Sequence, residues 1–147
     1  MQITLQDLTK KFPNRNRKIK TEVVAVDHFS FEIPDGQLIG LLGPSGCGKS
    51  TLGRTILRLQ EPTDGQILYD GKDITKYNRR QMKQMRQNMQ LIFQDPYASL
   101  DPRKSVVEII AEYMIINRTY PSKKEIYNYA AHLMDIVGLA RRYANAY

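Results

Sequence analysis

The chain has 147 residues, of which 41% are hydrophobic and 25% charged, a length and composition that suit one globular domain. Its 22 basic and 15 acidic residues give a net charge of +7, and it contains one cysteine. A single cysteine excludes an internal disulfide framework and favours a reducing compartment. The sequence also lacks an apolar run of membrane-spanning length and a signal-peptide pattern. We therefore expect a cytoplasmic chain that reaches a membrane only through partners.

Short apolar runs predict strands in the first 36 residues. Ile3–Leu8 opens one strand, and Glu22–Val26 and Phe29–Ile33 form a second set, closed by a turn at residues 34–36. We expect these segments to form a small antiparallel sheet. Phe12 follows the first strand, where it could stack on adenine or pack as an ordinary core aromatic.

Residues 10–20 carry six cations and no acid. Such a cluster can bind nucleic acid or acidic lipid headgroups, or it can be a solvated loop. Pro13, Asn14 and Asn16 indicate turns, and aromatic residues do not interleave with the cations as a base-stacking surface requires. We therefore interpret the cluster as a solvated loop and expect no nucleic-acid partner.

The pattern Gly-x4-Gly-Lys-Ser occupies residues 43–50 in the order strand, loop, helix. Residues 37–42 are strand-like, and Leu52, Ile56 and Leu59 recur at helical spacing after the loop. Glycines let the backbone fold into a nest of N–H groups around phosphate oxygens, and the helix dipole favours the same anion. The alternative is a glycine-rich turn that binds nothing. We predict a nucleotide site built from Gly43, Pro44, Ser45, Gly46, Cys47, Gly48, Lys49, Ser50 and Thr51.

Position within this loop assigns distinct roles to its side chains. We expect Lys49 to reach the β- and γ-phosphates as a point charge, which makes it a candidate catalytic residue. The Ser50 hydroxyl would complete the shell of a Mg²⁺ ion that otherwise keeps waters and phosphate oxygens. Cys47 contributes its backbone N–H, and its thiol is either a tolerated small group or, at a helix start, a reactive one.

The middle of the chain predicts a strand, a helix and a second strand. Residues 61–65 end the helix that follows the glycine-rich loop, and Gln66–Tyr69 with the following Asp-Gly pair predicts a strand and a tight turn. Arg79–Gln87 is a basic helix candidate, and its methionine stripe indicates core packing. Met89–Phe93 then predicts a short buried strand that ends at Gln94.

Gln94 is a polar amide at the end of that predicted strand, which is a common ligand-facing position in an α/β sheet. It could add its oxygen to a Mg²⁺ shell or orient an attacking water, which makes it a candidate metal and catalytic residue. It could equally be a polar residue that simply ends the strand.

The last third of the chain predicts two helices. Val106–Asn117 places apolar residues on one face. A capping-box pattern at Ser122 and Glu125 starts the second helix, which runs through Val137 with Gly138 just beyond its end.

Four segments together resemble one family. They are residues 24–33, 41–51, 65–71 and 91–103, the last of which contains the sequence Phe-Gln-Asp-Pro-Tyr-Ala-Ser-Leu and is the most specific. In these segments the chain resembles the ATP-binding subunits of ABC transporters, most closely those of oligopeptide and dipeptide importers. The resemblance implies an α/β fold, with an incomplete P-loop NTPase core, an antiparallel β-subdomain and the start of a helical subdomain.

The resemblance also implies boundaries, ligands and partners. It makes residues 1–36 mainly the β-subdomain, 37–104 the P-loop core with the Q-loop, and 105–147 the start of the helical subdomain. ATP and Mg²⁺ are the implied cofactors, with Phe12 in the place of the adenine-stacking aromatic and Gln94 in that of the Q-loop glutamine. The implied partners are a second ATP-binding subunit and transmembrane permease subunits at the inner face of the cell membrane.

Several motifs of that family do not occur in the 147 residues. They are the signature motif, the Walker B Asp-Glu pair, the D-loop and the switch histidine. Because the general base belongs to the Walker B region, we expect this chain to bind nucleotide with little or no turnover, although the implied activity is ATP hydrolysis that energises peptide import. The alternatives are a nucleotide-binding module without turnover, and a P-loop kinase or non-transport ABC protein.

Overall fold

A computed structural model of the protein describes residues 1–14, 21–93, 95 and 100–146. The chain divides into two compact units, Met1–Leu91 and Ile92–Tyr147. Within the described ranges, none of the helices combines the length and the apolar character needed to cross a membrane.

The first unit contains a four-stranded antiparallel sheet with the strand order β2-β1-β3-β4. Its apolar face includes Ile3 and Leu5 of β1, which alternate along the strand, Leu8 beyond a register shift in β1, and Ile67 of β3, all of which are buried. The predicted antiparallel sheet is thus confirmed, and it also includes residues from beyond position 36. The strands are β1 (Ile3–Pro13), β2 (Glu22–Ile33), β3 (Asp64–Tyr69) and β4 (Lys72–Asp73).

Two helices pack in the same unit, α1 (Lys49–Ile56) and α2 (Arg79–Met85). Leu52 of α1 and Met82 of α2 join the buried cluster that covers the sheet, together with Met89. The predicted core role of the methionine stripe is therefore confirmed. The α2 helix begins with a reciprocal capping box between Asn78 and Gln81.

Two predicted strands do not form. Residues 37–42 and 89–93 have no strand structure, and the described sheet contains neither of them. Leu38 is 100% exposed and Leu42 94% exposed, and Ile92 is 94% exposed. Apolar sequence makes a strand only where a neighbouring strand pairs with its backbone. No described segment pairs with either run, and both predictions are wrong for the chain as it stands.

The second unit is helical, with α3 (Val106–Asn117), α4 (Lys123–Ile136) and a 3₁₀ turn (Arg141–Tyr143). The two helices pack through a small buried cluster that includes Val107, Ala111 and Ile126. The bounds predicted for α3 are confirmed, and α4 ends one residue before Val137. The start predicted for α4 is confirmed, because the Ser122 hydroxyl accepts from the Glu125 N–H. At the start of α3, which had no predicted cap, the Ser105 N–H and hydroxyl both donate to Glu108.

Candidate functional site

The candidate site is the P-loop, residues 43–51, where the chain enters α1. This helix starts at Lys49, and its N-cap residue Gly48 lies in the left-handed region with φ of 96°. No side chain caps the first turn of α1, so its leading N–H groups face outward without a side-chain acceptor. An uncapped helix start combines donors with the positive end of the helix dipole, and it suits an anion.

Two glycines of the loop are required for different reasons. A Cβ on Gly48 would lie 2.1 Å from the backbone oxygen of Ala25 in β2, so only glycine lets the helix start touch the sheet. Gly46 has φ of 80° with no atom within 4 Å of a Cβ placed on it, so its requirement is conformational alone. The loop is therefore fixed against β2 at Gly48 and open to solvent at Gly46.

Lys49 provides the positive charge of the site. Its Nζ donates to the backbone oxygens of Gly43 at 2.7 Å and Pro44 at 2.6 Å, and lies 3.6 Å from the Cys47 sulfur. No carboxylate in the described part of the chain pairs with this ammonium. Among the described residues, the oxygens nearest its charge are those two backbone carbonyls. The ammonium can therefore exchange these neutral acceptors for an anionic ligand.

Ser50 and Thr51 complete the first turn of α1. Ser50 is exposed, while the backbone oxygen of Thr51 accepts a 2.8 Å bond from the buried Thr55 hydroxyl. The described residues contain no cluster of three or more His, Cys, Asp or Glu side chains suited to a metal. A single hydroxyl fits Mg²⁺, which is commonly held by few protein ligands while keeping waters and phosphate oxygens.

Phe12 lies near the end of β1, where it pairs with Val23 of β2. The Lys10 ammonium lies 4.9 Å from the centre of its ring. Val23 is two residues from Ala25, the residue that β2 presents to Gly48. The same end of the β1–β2 ladder thus carries the aromatic ring and contacts the start of α1. A role for Phe12 with adenine stays a prediction.

Gln94, predicted as a metal and catalytic residue, lies outside the described residues, as do residues 15–20 of the basic cluster and residues 96–99 of the predicted Q-loop. The roles proposed for them stay predictions.

Sequence reasoning missed Arg58, which holds the far end of α1. Its guanidinium donates to Glu61 at 2.6 Å and 2.9 Å and to the backbone oxygens of Ile74 at 2.7 Å and Tyr77 at 2.8 Å. Its own backbone oxygen accepts from Arg86 at 3.0 Å. The Arg58 side chain is only 9% exposed. The three-residue spacing of Arg58 and Glu61 was a local signal that could have indicated their ion pair. The two carbonyl acceptors are distant in sequence, so no local pattern indicated them.

Comparison with known proteins decides the family. A family model described as ABC transporter matches residues 26–146. The chain belongs to the ABC transporter family. The resemblance that the sequence motifs indicated is thereby confirmed.

Curated members of the ABC family resemble the chain over most of its length. The oligopeptide transport ATP-binding protein OppF of Bacillus subtilis (strain 168) is 47% identical over 126 residues, which are 85% of this chain and 41% of OppF. AppF of the same strain, also described as an oligopeptide transport ATP-binding protein, is 42% identical over 150 residues, 99% of this chain and 45% of AppF. The chain therefore spans less than half the length of these relatives.

Solved ABC cassettes share the fold. The dimeric bacterial ABC transporter cassette MJ0796 superposes with a TM-score of 0.77 at 24% identity, over 97% of this chain and 60% of that one. CbiO1 from Clostridium perfringens, part of an ABC transporter complex, has a TM-score of 0.69 at 22% identity, with coverages of 98% and 53%. The predicted α/β P-loop NTPase fold class is confirmed.

Proposed function

We propose that this chain is the P-loop-bearing part of an ATP-binding subunit that energises the import of peptides. Two of its relatives are described as oligopeptide transport ATP-binding proteins, which supports the transport part. The observation that carries the nucleotide part is the uncapped start of α1 with the Lys49 ammonium beside it. Together they offer a polyphosphate several backbone donors and one ammonium that no carboxylate among the described residues neutralises.

Within this proposal the residues of the loop have separate tasks. The backbone N–H groups at the start of α1 would bind the phosphate oxygens and orient them. The Cys47 N–H donates to the Pro44 backbone oxygen at 3.4 Å and would have to leave this acceptor to join them. Lys49 leaves the two loop carbonyls and neutralises charge at the β- and γ-phosphates, while Ser50 offers its hydroxyl to Mg²⁺. Bound Mg²⁺-ATP supplies the phosphoryl group that water attacks. Positioning and charge neutralisation of this kind dominate catalysis of phosphoryl transfer.

Turnover needs a base for the attacking water, and we propose that this base lies outside residues 1–147. Gln94 would position the water and contact Mg²⁺, and Phe12 would stack on adenine. The chain alone would then hold nucleotide with little or no hydrolysis.

We propose a second ATP-binding subunit and transmembrane permease subunits as partners, at the inner face of the membrane. The dimeric state of the MJ0796 cassette supports the first of these. The relatives' descriptions as transport proteins support the second.

The test is substitution of Lys49. We expect Lys49→Ala to weaken binding of a fluorescent ATP analogue with Mg²⁺ by about 10- to 100-fold, because it removes a charge-assisted contact worth about 1.5–3 kcal/mol. Lys49→Arg keeps the charge but replaces a compact ammonium with a larger, planar guanidinium. We therefore expect its affinity for the analogue to be little better than that of Lys49→Ala.

The control is the melting temperature of the three proteins without nucleotide, which we expect to agree because Lys49 is half-exposed. Unchanged affinity in folded Lys49→Ala protein would show that residues 43–51 are a structural turn and would defeat the proposal.

A further inference from the structure

The first unit contains an open cavity of about 390 Å³ between the β3–β4 hairpin and α2. Its volume lies within the range of about 300–1,000 Å³ that small-molecule sites usually occupy. Every lining residue that the structure describes lies between positions 69 and 88, outside the P-loop. The cavity is therefore a candidate for a second, separate binding site.

The β3–β4 hairpin forms one wall of the cavity. Tyr69 of β3 pairs with Lys72 of β4, and directly opposed residues of an antiparallel pair project from the same face of a sheet. The two residues are joined by a two-residue turn in which Asp70 and Gly71 have φ of 46° and 75°, the positive values that tight hairpin turns require. This turn keeps a phenol ring and an ammonium side by side at the cavity.

The floor of the cavity is apolar, and its backbone is tightly held. Ile74 is fully buried and Tyr77 is half-buried. The Arg58 guanidinium donates to the backbone oxygens of both residues, at 2.7 Å and 2.8 Å. The Ile74 N–H in turn donates to the Ile67 oxygen at 2.9 Å. Because these bonds fix the floor, the cavity is formed before a ligand enters it, as in most small-molecule sites.

The opposite wall is a stripe along α2 and the turn that follows it. Gln81, Gln84, Met85 and Asn88 have the spacing i, i+3, i+4 and i+7, so they share one side of the helix. Three of the four are carboxamides, which carry both donors and an acceptor, as a peptide group does. Gln81 uses its oxygen to accept from the Asn78 N–H at the helix start but keeps its NH₂ group. This wall suits a ligand that contains peptide groups.

The polar groups of the cavity differ in whether they already have partners. Within the described ranges, the side chains of Lys72, Gln84 and Asn88 make no hydrogen bond or ion pair. Asp70 accepts from the Gln2 N–H at 2.7 Å, and its carboxylate lies 3.8 Å from the N-terminal ammonium. The charge that is left to a ligand is therefore that of Lys72, which favours a carboxylate.

We propose that this cavity binds a short peptide by its C-terminal carboxylate. The carboxylate pairs with the Lys72 ammonium, and the peptide groups bond to the carboxamides of Gln84 and Asn88. An apolar C-terminal side chain packs on the floor at Ile74 and Tyr77. A free amino acid offers α2 no peptide group, so it binds more weakly. The proposal depends on this cavity alone and holds whether or not the P-loop binds nucleotide.

The experiment follows the side-chain NH₂ signals of Gln84 and Asn88 by NMR while ligand is added to the whole chain. The probe is the dipeptide alanyl-leucine, added up to about 10 mM because a ligand of this size binds in about the millimolar range. We expect both signals to shift, and to shift equally with N-acetyl-alanyl-leucine, whose carboxylate is intact.

Three further ligands separate the parts of the recognition. Alanyl-leucine amide should bind about 10-fold or more weakly, because it lacks the charge that pairs with Lys72. Leucine keeps the carboxylate and side chain but has no peptide group, and acetate keeps the carboxylate alone. We expect each of these to bind about 10-fold or more weakly than the dipeptide.

Two pairs of variants test the residues. Lys72→Gln should weaken dipeptide binding about 10-fold or more, whereas Lys76→Gln should not, because Lys76 is an exposed lysine outside the cavity. Gln84→Ala should weaken binding about 3-fold or more, read at Asn88, and Gln87→Ala is its matched control. All four side chains are exposed, so we expect the four melting temperatures to equal that of the parent protein.

Three results would overturn the proposal. Unchanged signals of Gln84 and Asn88 with alanyl-leucine would show that the cavity does not take a peptide. Equal affinity for the dipeptide and its amide, or for the dipeptide and acetate, would show that it does not recognise a peptide by its C-terminus. Equal losses in Lys72→Gln and Lys76→Gln would assign the binding to the general charge of this surface.

Discussion

At the residue scale, Gly46 and Gly48 share a left-handed backbone but have different surroundings. Both have positive φ, of 80° and 96°, so alanine at either costs about 1–2 kcal/mol of strain. At Gly48 the added Cβ also meets the Ala25 oxygen at 2.1 Å, so α1 must move away from β2. We expect Gly48→Ala to be clearly less stable than Gly46→Ala in urea unfolding. Equal losses would mean that α1 does not rest on β2 at this point.

Arg58 makes a second residue-scale prediction. Arg58→Met keeps most of the apolar stem but removes the guanidinium donor from the backbone oxygens of Ile74 and Tyr77, of which Ile74 still accepts from the Tyr77 N–H. We expect a loss of about 2–4 kcal/mol of unfolding free energy. Glu61→Gln is the control. The Glu61 side chain is 65% exposed, so we expect it to cost about 1 kcal/mol or less.

The two variants are compared by chemical denaturation at neutral pH. If Glu61→Gln were as damaging as Arg58→Met, the ion pair rather than the two carbonyl contacts would hold the end of α1.

At the element scale, the start of α3 depends on a charged cap. The Ser105 N–H and hydroxyl both donate to Glu108 at 2.8 Å, which holds the pKa of Glu108 below its ordinary value of 4.5. A carboxylate with a depressed folded pKa adds stability above its unfolded pKa, and this stability is lost as pH falls through the folded pKa. We therefore expect the helical unit to weaken on acidification below pH 4.5.

Glu108→Gln tests this, because the amide oxygen can still accept both bonds but does not titrate. We expect the variant to be as stable as the parent protein at neutral pH and to lose less stability between about pH 5 and about pH 3. The measurement is the helical circular dichroism signal as a function of pH. Glu108→Ala should lose stability across the whole range. If Glu108→Gln lost as much stability at acidic pH as the parent protein, other carboxylates would be responsible for the pH dependence.

The helices and the strands differ in how far sequence could predict them. The bounds of α3 were predictable because its apolar face is periodic, and the local pair Ser105 and Glu108 at its start is a second signal that sequence reasoning did not use. The same holds for α4, where Gly138 adopts φ of 73° just beyond the helix. Residues 37–42 have an equally strong strand pattern, but a strand depends on a partner that may lie anywhere in sequence. The local sequence pattern carries no information about whether a partner strand is present, and no described segment pairs with residues 37–42.

At the scale of the whole molecule, the family and the fold class were predictable because four motif segments carry them. Two contacts were not predictable from sequence. They are the bonds from the Arg58 guanidinium to the backbone oxygens of residues 74 and 77, and the close approach of Gly48 to the backbone oxygen of Ala25. In each case the acceptor is a backbone oxygen, which no side-chain pattern indicates. Whether Phe12 and Gln94 act on nucleotide stays a prediction.

Turnover is the prediction that belongs to the whole chain. We expect phosphate release by residues 1–147 with Mg²⁺-ATP to be indistinguishable from background, because in the proposed function the base that activates water lies outside these residues. The comparison is the same chain joined to the part of B. subtilis OppF that lies beyond its match to this chain. This longer protein should show measurable phosphate release. Comparable rates for the two proteins would place the base within residues 1–147.

The carbonyls of Gly43 and Pro44 act as an internal competitor for the Lys49 ammonium. A ligand that recruits this cation must exchange two bonds of 2.7 Å and 2.6 Å, so its measured enthalpy is the difference between two sets of charge-assisted contacts. Its apparent affinity is reduced by the fraction of molecules in which the ammonium is released. A ligand with a single weak acceptor cannot offset this exchange, whereas a polyphosphate offers several oxygens at once. We therefore expect the loop to favour multiply charged anions over singly charged ones, before any contact with a base or sugar is made.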